Sequence, residues 1–330
     1  MSGPVLVLVE APGGEPDRLS LEALAMARGL AGALGGGTAV EAVLMGAGAS
    51  AAASAAALAG HGATVAHYPS DTRLEAYAPA AWAAVLGAAI EARGAVAAIS
   101  PGSDRGNEVL AHVAARAGLP MAANVVSVEP GTTWRLTRQR WAGSLLEDAT
   151  LDGPVRLMTA APHAFPAEPV AAGSPPTAVV LTVPVSDHDL VVRVVSREAP
   201  MAGAVTLADA KVVVSGGRGV GSSAGFAVIE ELAGLLGAAV GVSRAVTSAG
   251  WRPHAEQVGQ TGTRVAPDLY IACGISGAIQ HIVGCKAAKR ILAINTDPDS
   301  PIMHVAGYAV IGDLNAIVPA ISAEIRRRRG

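Results

Sequence analysis

The chain has 330 residues, enough for two domains that each bury a core of their own. Aromatic residues make up only 3% of it, while alanine and glycine abound, so the cores must be packed mainly from Ala, Val, Leu and Ile. The formal net charge is −3, whereas nucleic-acid-binding proteins are usually basic. The charge therefore favours small molecules or proteins as partners.

The first half of the chain alternates apolar runs with helical stretches. Four apolar runs each precede a helical pattern, at 5–10, 39–46, 63–69 and 95–100. The first of these helices is expected near Asp17–Leu34, and four such units in a row predict a parallel sheet flanked by helices. From Met121 the runs become shorter and more polar, as in "TTWRLTRQRWAG", "VRLMTAA" and "HDLVVRVVSRE", which predicts antiparallel strands that extend or cap the same domain.

The segment "REAPMAGAVTLADA" at 197–210 has no strong period and is typical of a crossover between domains. After it the alternation begins again, with strand patterns at 211–217, 238–245, 268–274, 290–295 and 308–313. We therefore predict two α/β domains, at 1–202 and 203–330, each with a mainly parallel sheet flanked by helices. The second is expected to be doubly wound.

Three features bear on the cellular environment. The start "MSGPVLVLVE" has no basic segment before its apolar run and predicts a strand instead of a secretion signal. No apolar run approaches the roughly 20 residues of a membrane helix, so no direct membrane insertion is expected. Cys273 and Cys285 lack the spacing of a metal site and are expected to be reduced and buried. These features predict a cytoplasmic protein without a metal.

Unusual residues gather directly after the strands of the second domain, where ligands bind in open parallel sheets. The loops are "SGGRGVGSS", "SRAVTSAG", "QVGQTGT", "GISGAIQH" with "NTDPDS", and "GDL". Their convergence predicts a large nucleotide-like ligand. In "GISGAIQH" a helix start would offer free backbone N–H groups to a phosphate. A tight strand-to-helix turn without a ligand would give the same sequence pattern.

Single residues in these loops allow two interpretations each. Arg218 can face a phosphate or a ring, or lie in solvent, and Gln260 and Thr261 can contact a ring or form a polar turn. His281 is either a ligand contact or a structural histidine. Asp313 either accepts from a ribose or adenine, or caps the last helix. The sequence lacks a GxGxxG fingerprint and a recognisable pair of catalytic carboxylates, which weakens the case for a nicotinamide-dependent enzyme.

Taken in order, five segments resemble the alpha subunit of electron transfer flavoproteins: "VVVSGGRGVGS", "AAVGVSRAV", "QVGQTGTRVAPDLYIACGISGAIQH", "AINTDPDSPI" and "GDLNAIVP". The resemblance runs almost continuously from Lys211, while the first 200 residues fit in size and pattern alone. It implies a heterodimer with a beta subunit and an FAD held mainly by the C-terminal domain. It also implies an electron carrier instead of an enzyme, which takes electrons from an acyl-CoA-type or other flavin dehydrogenase and delivers them to a quinone oxidoreductase or similar acceptor.

The resemblance also implies a role for individual residues and assigns none of them to catalysis. Arg244 would lie close to the flavin ring, the Thr261 hydroxyl near its N5 edge, and His281 near its C2 oxygen. The helix start at 276–280 would hold the pyrophosphate. The FAD-binding set is Arg218, Ser243, Arg244, Val258, Gly259, Gln260, Thr261, Ser276, Gly277, Ala278, Ile279, Gln280 and His281, with Asn295, Asp313 and Leu314 at the adenosine end.

One position departs from the family's usual pattern. Many members carry lysine where Thr296 stands, and some relatives outside the general fatty-acid-oxidation group carry threonine. The pathway therefore stays open between fatty-acid, amine and other oxidation, or an electron-bifurcating complex with a second flavin in the beta subunit. The alternatives to a carrier are a nicotinamide-dependent enzyme with His281 as acid or base, and a flavin-free structural or nucleotide-binding subunit.

Overall fold

A computed structural model describes residues 3–143, 145–169, 173–195, 206–207 and 209–329. The chain forms two compact units, Met1–Arg197 and Glu198–Gly330. The predicted boundary at 202/203, together with most of the predicted crossover segment, lies outside the described residues. Of the helices that the structure describes, none has both the length and the apolar character that crossing a membrane requires.

The first unit contains one nine-stranded sheet. Its strands are β1 (Val5–Glu10), β2 (Val40–Met45), β3 (Ala63–Pro69), β4 (Ala97–Pro101), β5 (Met121–Glu129), β6 (Trp134–Arg140), β7 (Leu145–Leu151), β8 (Arg156–Ala160) and β9 (Thr177–Leu181). They lie in the order β7-β6-β5-β8-β4-β1-β2-β3-β9. β6 runs antiparallel to both β5 and β7, and the other neighbours are parallel. The predicted parallel sheet with an antiparallel extension is confirmed.

Helices cover both faces of this sheet. They are α1 (Arg18–Leu34), α2 (Ala51–Ala56), α3 (Pro79–Arg93) and α4 (Asp104–Ala117). Asp17 caps α1 by accepting a hydrogen bond from the Leu19 N–H at 2.8 Å, which fixes the predicted helix start. Because side chains alternate along a strand, β1 sends Val5, Val7 and Val9 to the core under α1 and α2, and its leucines to the core under α3 and α4.

Two predicted strands of this unit behave differently from expectation. "VRLMTAA" forms β8, which is parallel and lies between β4 and β5, and every residue of it is buried. "HDLVVRVVSRE" is not a strand where it is described: Asp187–Leu190 is a 3-10 turn closed by a capping box between Ser186 and Asp189. The edge position beside β3 is instead taken by β9, which the sequence analysis did not predict.

A buried ionic cluster joins β2, β3 and α3. Glu41 accepts hydrogen bonds from Arg93 and His67, each at 2.8 Å. Burial alone would raise the pKa of Glu41, but these hydrogen bonds outweigh it and leave the pKa below its usual value. The cluster therefore contributes to stability only while the carboxylate is ionised.

The second unit is a five-stranded, fully parallel sheet. Its strands are β10 (Val212–Gly216), β11 (Ala239–Val242), β12 (Leu269–Cys273), β13 (Ile291–Asn295) and β14 (Tyr308–Ile311), in the order β11-β10-β12-β13-β14. Its helices are α5 (Ala227–Leu236), α6 (Arg244–Ser248), α7 (Ile279–Cys285), α8 (Pro301–Val305) and α9 (Leu314–Arg329). The chain steps outward from β10 to β11 and then crosses back to β12, so the topological switch point lies between β10 and β12.

Two apolar cores lie on opposite faces of this sheet, as the doubly wound prediction requires. Val213 and Tyr270 point into the core shared with α7 and α8, and Val214 and Ile271 into the core shared with α5 and α9. Both cysteines are buried and free, as predicted. The carboxyl ends of all five strands meet at one edge, and the predicted ligand loops start there, with the exception of "QVGQTGT", which precedes β12.

Candidate functional site

A cavity of about 140 Å³ lies beyond the ends of β11 and β12. It is lined by Ser243, Arg244, Ala245, Gln257, Val258, Gly259, Gln260, Thr261, Ile275, Ser276, Gly277, Ala278, Gln280 and His281. The structure thus brings together most of the predicted FAD-binding residues, from three separate loops. Ala245, Gln257 and Ile275 are additional lining residues that the sequence analysis did not select.

Two larger hollows lie in the first unit and are poorer candidates. One of about 270 Å³, beyond the ends of β2 and β3, is lined by the carboxylates of Asp71 and Glu75, which would repel a phosphate. The other, of about 630 Å³, is an open depression across β5, β6 and β7. Neither has a lining residue with a buried, unpaired polar side-chain atom, whereas the cavity of the second unit has one on His281.

Helix α7 holds the loop 257–263 in place. The Gln260 N–H donates to the Gln280 carbonyl and the Val265 N–H donates to the Gly284 carbonyl, both at 2.8 Å. A side chain at Gly284 would overlap the backbone of Gly259, so the helix and the loop touch backbone to backbone. The glycines of "QVGQTGT" and of α7 therefore have a packing role that fixes the position of the cavity wall.

A chain of hydrogen bonds orients Thr261 at the cavity. Thr247 Oγ1 donates to Gln257 Oε1 at 2.6 Å, and Gln257 Nε2 donates to Thr261 Oγ1 at 3.0 Å. Gln257 is only 3% exposed, so its amide is held in a fixed orientation. Because Thr261 Oγ1 already accepts a hydrogen bond, its own proton is available to a ligand. Gln257 is the first residue of "QVGQTGT". Its supporting role depends on its hydrogen bonds with Thr247, 10 residues earlier in the chain, and with Thr261, 4 residues later.

His281 is the third residue of α7 and is 6% exposed. Its Nε2 lies 2.8 Å from the Tyr270 hydroxyl, while among the described residues its buried Nδ1 completes no hydrogen bond, although the Val258 backbone lies near the ring. Burial lowers the pKa of His281 to about 4, and the nearby backbone of Val258 opposes this by a smaller amount. The imidazole is therefore neutral at pH 7 and can act as a hydrogen-bond donor, but not as a cation.

Positive charge at the cavity comes from Arg244. Among the described residues that line the cavity it is the one ionised side chain, and it is exposed at the first position of α6. Within the described part of the chain its guanidinium has no carboxylate partner. Ser243, which precedes α6, does not use its hydroxyl to cap that helix. Both side chains are therefore available to a ligand.

The glycine loops at the switch point pack against each other. The Gly219 N–H donates to the Gly274 carbonyl at 3.0 Å, and a side chain at Gly217 would overlap the same carbonyl. Gly274 has φ +62°, and a Cβ there would lie 2.8 Å from Gly219 Cα. These glycines thus allow two loops to approach closely. Arg218, between two of them, is exposed on a 3-10 turn and does not line the cavity.

The remaining predicted residues also lie outside the cavity lining. Asn295 Nδ2 donates to the Ile275 carbonyl at 2.9 Å, which ties the end of β13 to a cavity loop. Asp313 caps α9 by accepting from the Asn315 N–H at 2.8 Å, and Leu314 is buried in the core beneath. Ile279, at the start of α7, is 72% exposed and does not line the cavity. In the described ranges no group of three or more His, Cys, Asp or Glu could hold a metal.

Comparison with known proteins gives a consistent result over both units. Residues 5–187 match the family model described as electron transfer flavoprotein domain, and residues 206–286 match the electron transfer flavoprotein FAD-binding domain. The chain is 36% identical over 326 residues to electron transfer flavoprotein subunit alpha of Mycobacterium tuberculosis, covering 99% of each chain. It is 35% identical over 329 residues to the same subunit of Bacillus subtilis, covering 99% of this chain and 98% of the relative. Over 119 residues, 36% of this chain and 39% of the relative, it is 56% identical to the subunit of Paracoccus denitrificans.

Proposed function

The chain belongs to the electron transfer flavoprotein alpha-subunit family, and we propose that it holds the flavin ring of FAD in the cavity beyond β11 and β12. The observation that carries the proposal is the set of unused donors at this cavity. Arg244 and Thr261 come from two loops and His281 from α7. Within the described residues, the Arg244 guanidinium has no carboxylate partner, the Thr261 hydroxyl accepts a hydrogen bond but donates none, and the buried Nδ1 of His281 completes no hydrogen bond. Neither the family models nor these relatives favour a nicotinamide-dependent enzyme or a flavin-free subunit.

The chemistry of the cavity fits a flavin. FAD supplies the electron-transfer chemistry when it is bound, and its ring carries acceptor nitrogen and oxygen atoms along two edges. The cavity lining offers donors and a cation and contains no carboxylate among the described residues. Such an arrangement stabilises negative charge on a ligand, because preorganised donors and a guanidinium need no reorganisation when charge arrives. His281 contributes as a neutral donor and Arg244 as the charge.

The cavity is too small for the whole dinucleotide. At about 140 Å³ it is below the 300–1,000 Å³ that is typical of sites enclosing a small molecule, so only part of FAD can lie inside it, and we propose that this part belongs to the flavin ring. The carboxyl edge of the five strands spans about 19 Å, from four spacings of about 4.8 Å. We propose that the rest of FAD lies along this edge, with Asn295, Asp313 and Leu314 at the adenosine end.

The pyrophosphate would lie between these ends, at the switch point. The N–H groups of Ile279 and Gln280 have no acceptor inside α7, because the helix begins there. Arg218 is exposed on the neighbouring loop and, within the described residues, has no carboxylate partner. Together with Ser276, Gly277 and Ala278 these groups form the phosphate-binding part of the proposal.

Alpha subunits of this family pair with a beta subunit, and the first unit offers a surface for that contact. Trp141, at the tip of the β6–β7 hairpin, is 80% exposed, and Leu145 and Leu146 beside it are also exposed. We call these three residues the apolar tip. A tryptophan exposed in this way is costly in water and typical of the energetic centre of an interface. We propose that the apolar tip contacts the beta subunit.

The remaining parts of the proposal concern the electron path and the location of the protein. We propose that the heterodimer has no substrate of its own, takes electrons from a flavin dehydrogenase and delivers them to a quinone oxidoreductase or similar acceptor. The family resemblance supports this path. A cytoplasmic location is supported by the two free cysteines, which suit a reducing compartment, and can be tested by cell fractionation.

The proposal is tested by co-expressing the chain with its beta subunit and measuring bound FAD and the visible spectrum during stepwise reduction with dithionite. We expect bound FAD that takes up electrons one at a time. Thr261→Val should weaken FAD binding about threefold to tenfold, the loss of one hydrogen bond, while Thr133→Val, on an exposed turn of the first unit, should not. A stable, colourless heterodimer that cannot be reconstituted with FAD contradicts the proposal.

A further inference from the structure

Behind the cavity, Tyr270 and His281 form a buried pair. Tyr270 lies in β12 with no exposed surface, and its hydroxyl is 2.8 Å from His281 Nε2. The two rings are tilted by 54° with centroids 6.1 Å apart, so the contact between them is a hydrogen bond and not stacking. His281 lines the cavity and Tyr270 does not. Nε2 is therefore engaged by Tyr270, and within the described residues Nδ1 is the ring nitrogen that completes no hydrogen bond.

The protons of this pair can be counted. Burial raises the pKa of Tyr270 well above its usual value, so the phenol keeps its proton, and the neutral imidazole carries one proton on either nitrogen. If the phenol donates to Nε2, the imidazole proton is on Nδ1. If Nε2 donates to the phenol instead, the phenolic proton needs another acceptor, because a buried donor without an acceptor is destabilising.

Ser215 is a candidate for that other acceptor. It lies on β10, beside β12, and is close enough to the phenol to oppose the rise that burial causes in the pKa of Tyr270. Its buried Oγ nevertheless completes no hydrogen bond. The geometry thus favours donation from Tyr270 to Nε2 of His281.

We propose that Tyr270 is a positioning residue: its hydroxyl donates to Nε2 of His281 and thereby holds the imidazole proton on Nδ1, where it is donated to FAD in the cavity. This inference rests on the proposed function for the identity of the ligand. The tautomer itself is a property of the protein and does not depend on that identity. Tyr270 is invisible to motif analysis because a tyrosine in a strand is usually a core residue.

The proposal predicts a measurable loss when the phenol is removed. In Tyr270→Phe the Nε2 nitrogen no longer receives a proton donor, so both tautomers become accessible and Nδ1 donates to FAD for only part of the time. The dissociation constant of FAD should rise about threefold to tenfold, as for the loss of one neutral hydrogen bond. Ser215→Ala is the matched control, since it removes a buried hydroxyl beside the same phenol without removing the donor to His281.

The tautomer is read by nitrogen NMR of the ¹⁵N-histidine-labelled heterodimer, before and after removal of FAD. We expect His281 to be protonated on Nδ1 in the unaltered protein and in Ser215→Ala, and to lose this preference in Tyr270→Phe. Protonation on Nε2 in the unaltered protein, or a changed tautomer in Ser215→Ala, overturns the proposal. If Tyr270→Phe does not fold, the ¹⁵N spectrum of the unaltered protein still tests the proposal, because it shows whether Nδ1 or Nε2 of His281 carries the proton.

A double-mutant cycle separates a positioning role from a structural one. In the His281→Ala background, Tyr270→Phe should change the FAD dissociation constant by less than about twofold, because the phenol acts through the histidine. An equal loss in both backgrounds shows that Tyr270 acts on the fold and overturns the proposal. A heterodimer that binds no FAD at all but has the Nδ1–H tautomer refutes the proposed function and leaves the tautomer assignment intact.

Discussion

Gly274 is the position where a single methyl group should separate the two loops at the switch point. Its φ of +62° is unfavourable for alanine, and a Cβ there would lie 2.7 Å from Leu314 Cδ2 and 2.8 Å from Gly219 Cα. Ordinary contact begins at 3.4 Å, so the Gly219 backbone would have to move by about 0.6 Å. This movement would displace the loop that carries Arg218.

The expected cost of Gly274→Ala has two parts. The left-handed backbone costs alanine about 1–2 kcal/mol, and overpacking against a backbone that cannot rotate away costs about 1–3 kcal/mol more. We therefore expect the free energy of unfolding to fall by about 2–5 kcal/mol in a urea titration. FAD affinity of the folded protein should fall as well, because two loops of the proposed site move apart.

Gly237 provides a matched control for the backbone strain. It also has φ +62°, at the end of α5, but a Cβ there would meet nothing within 4 Å. Gly237→Ala should therefore lose only about 1–2 kcal/mol and bind FAD normally. If the two variants lose the same stability and both bind FAD like the unaltered protein, the close approach of the two loops is not needed and the reasoning fails.

Three further predictions concern charge, pH and assembly. Arg244→Gln should weaken binding of the reduced flavin relative to the oxidised one by roughly fivefold, so the midpoint potential falls, while Arg290→Gln, at the opposite edge of the sheet, should leave it unchanged. An unchanged midpoint potential in Arg244→Gln would show that Arg244 does not act on the flavin ring. Glu41→Gln should cost about 1–3 kcal/mol of unfolding free energy at pH 7, since its partner Arg93 is about half exposed. Because the pKa of Glu41 lies below its usual 4.5, the difference in unfolding free energy between Glu41→Gln and the unaltered protein should be present above pH 4.5 and vanish as the pH falls through the folded pKa. A difference that stays constant in urea titrations across that range would contradict the lowered pKa of Glu41. Trp141→Ser should lower the affinity for the beta subunit, measured by calorimetry, at least tenfold without changing the stability of the isolated chain. An unchanged affinity would exclude the apolar tip from the interface.

The fold could be predicted where the hydrophobic period is long and regular. The alternation of runs and helices in both units indicated parallel sheets, and the cap at Asp17 marked the first helix correctly. Of the strand predicted at 188–198, residues 188–195 are described and form none, because a local capping box at Ser186 and Asp189 closes a turn there instead. β9 was missed although "TAVVL" is a short run with two valines and a threonine, bounded by prolines, which is a strand signal that the sequence analysis did not use.

The candidate site could be predicted where its residues follow strand ends directly. Ser243 and Arg244 follow β11 and residues 276–281 follow β12, so they meet at one cavity because the carboxyl ends of parallel strands share an edge. The loop at 258–261 follows no strand directly and reaches the same edge through an isolated bridge between Val242 and Gln257. Gln257 and Tyr270 could not be predicted in the same way. Their roles depend on hydrogen bonds to side chains from other segments, and those partners become neighbours only in the folded unit.

The central claim is tested most directly by a crystal structure of the FAD-loaded heterodimer. The account predicts that the flavin ring lies in the cavity beyond β11 and β12, with an acceptor atom of its pyrimidine edge within about 3.2 Å of His281 Nδ1 and with Arg244 beside the ring. A flavin ring that lies elsewhere, with His281 Nδ1 still lacking an acceptor, would contradict it.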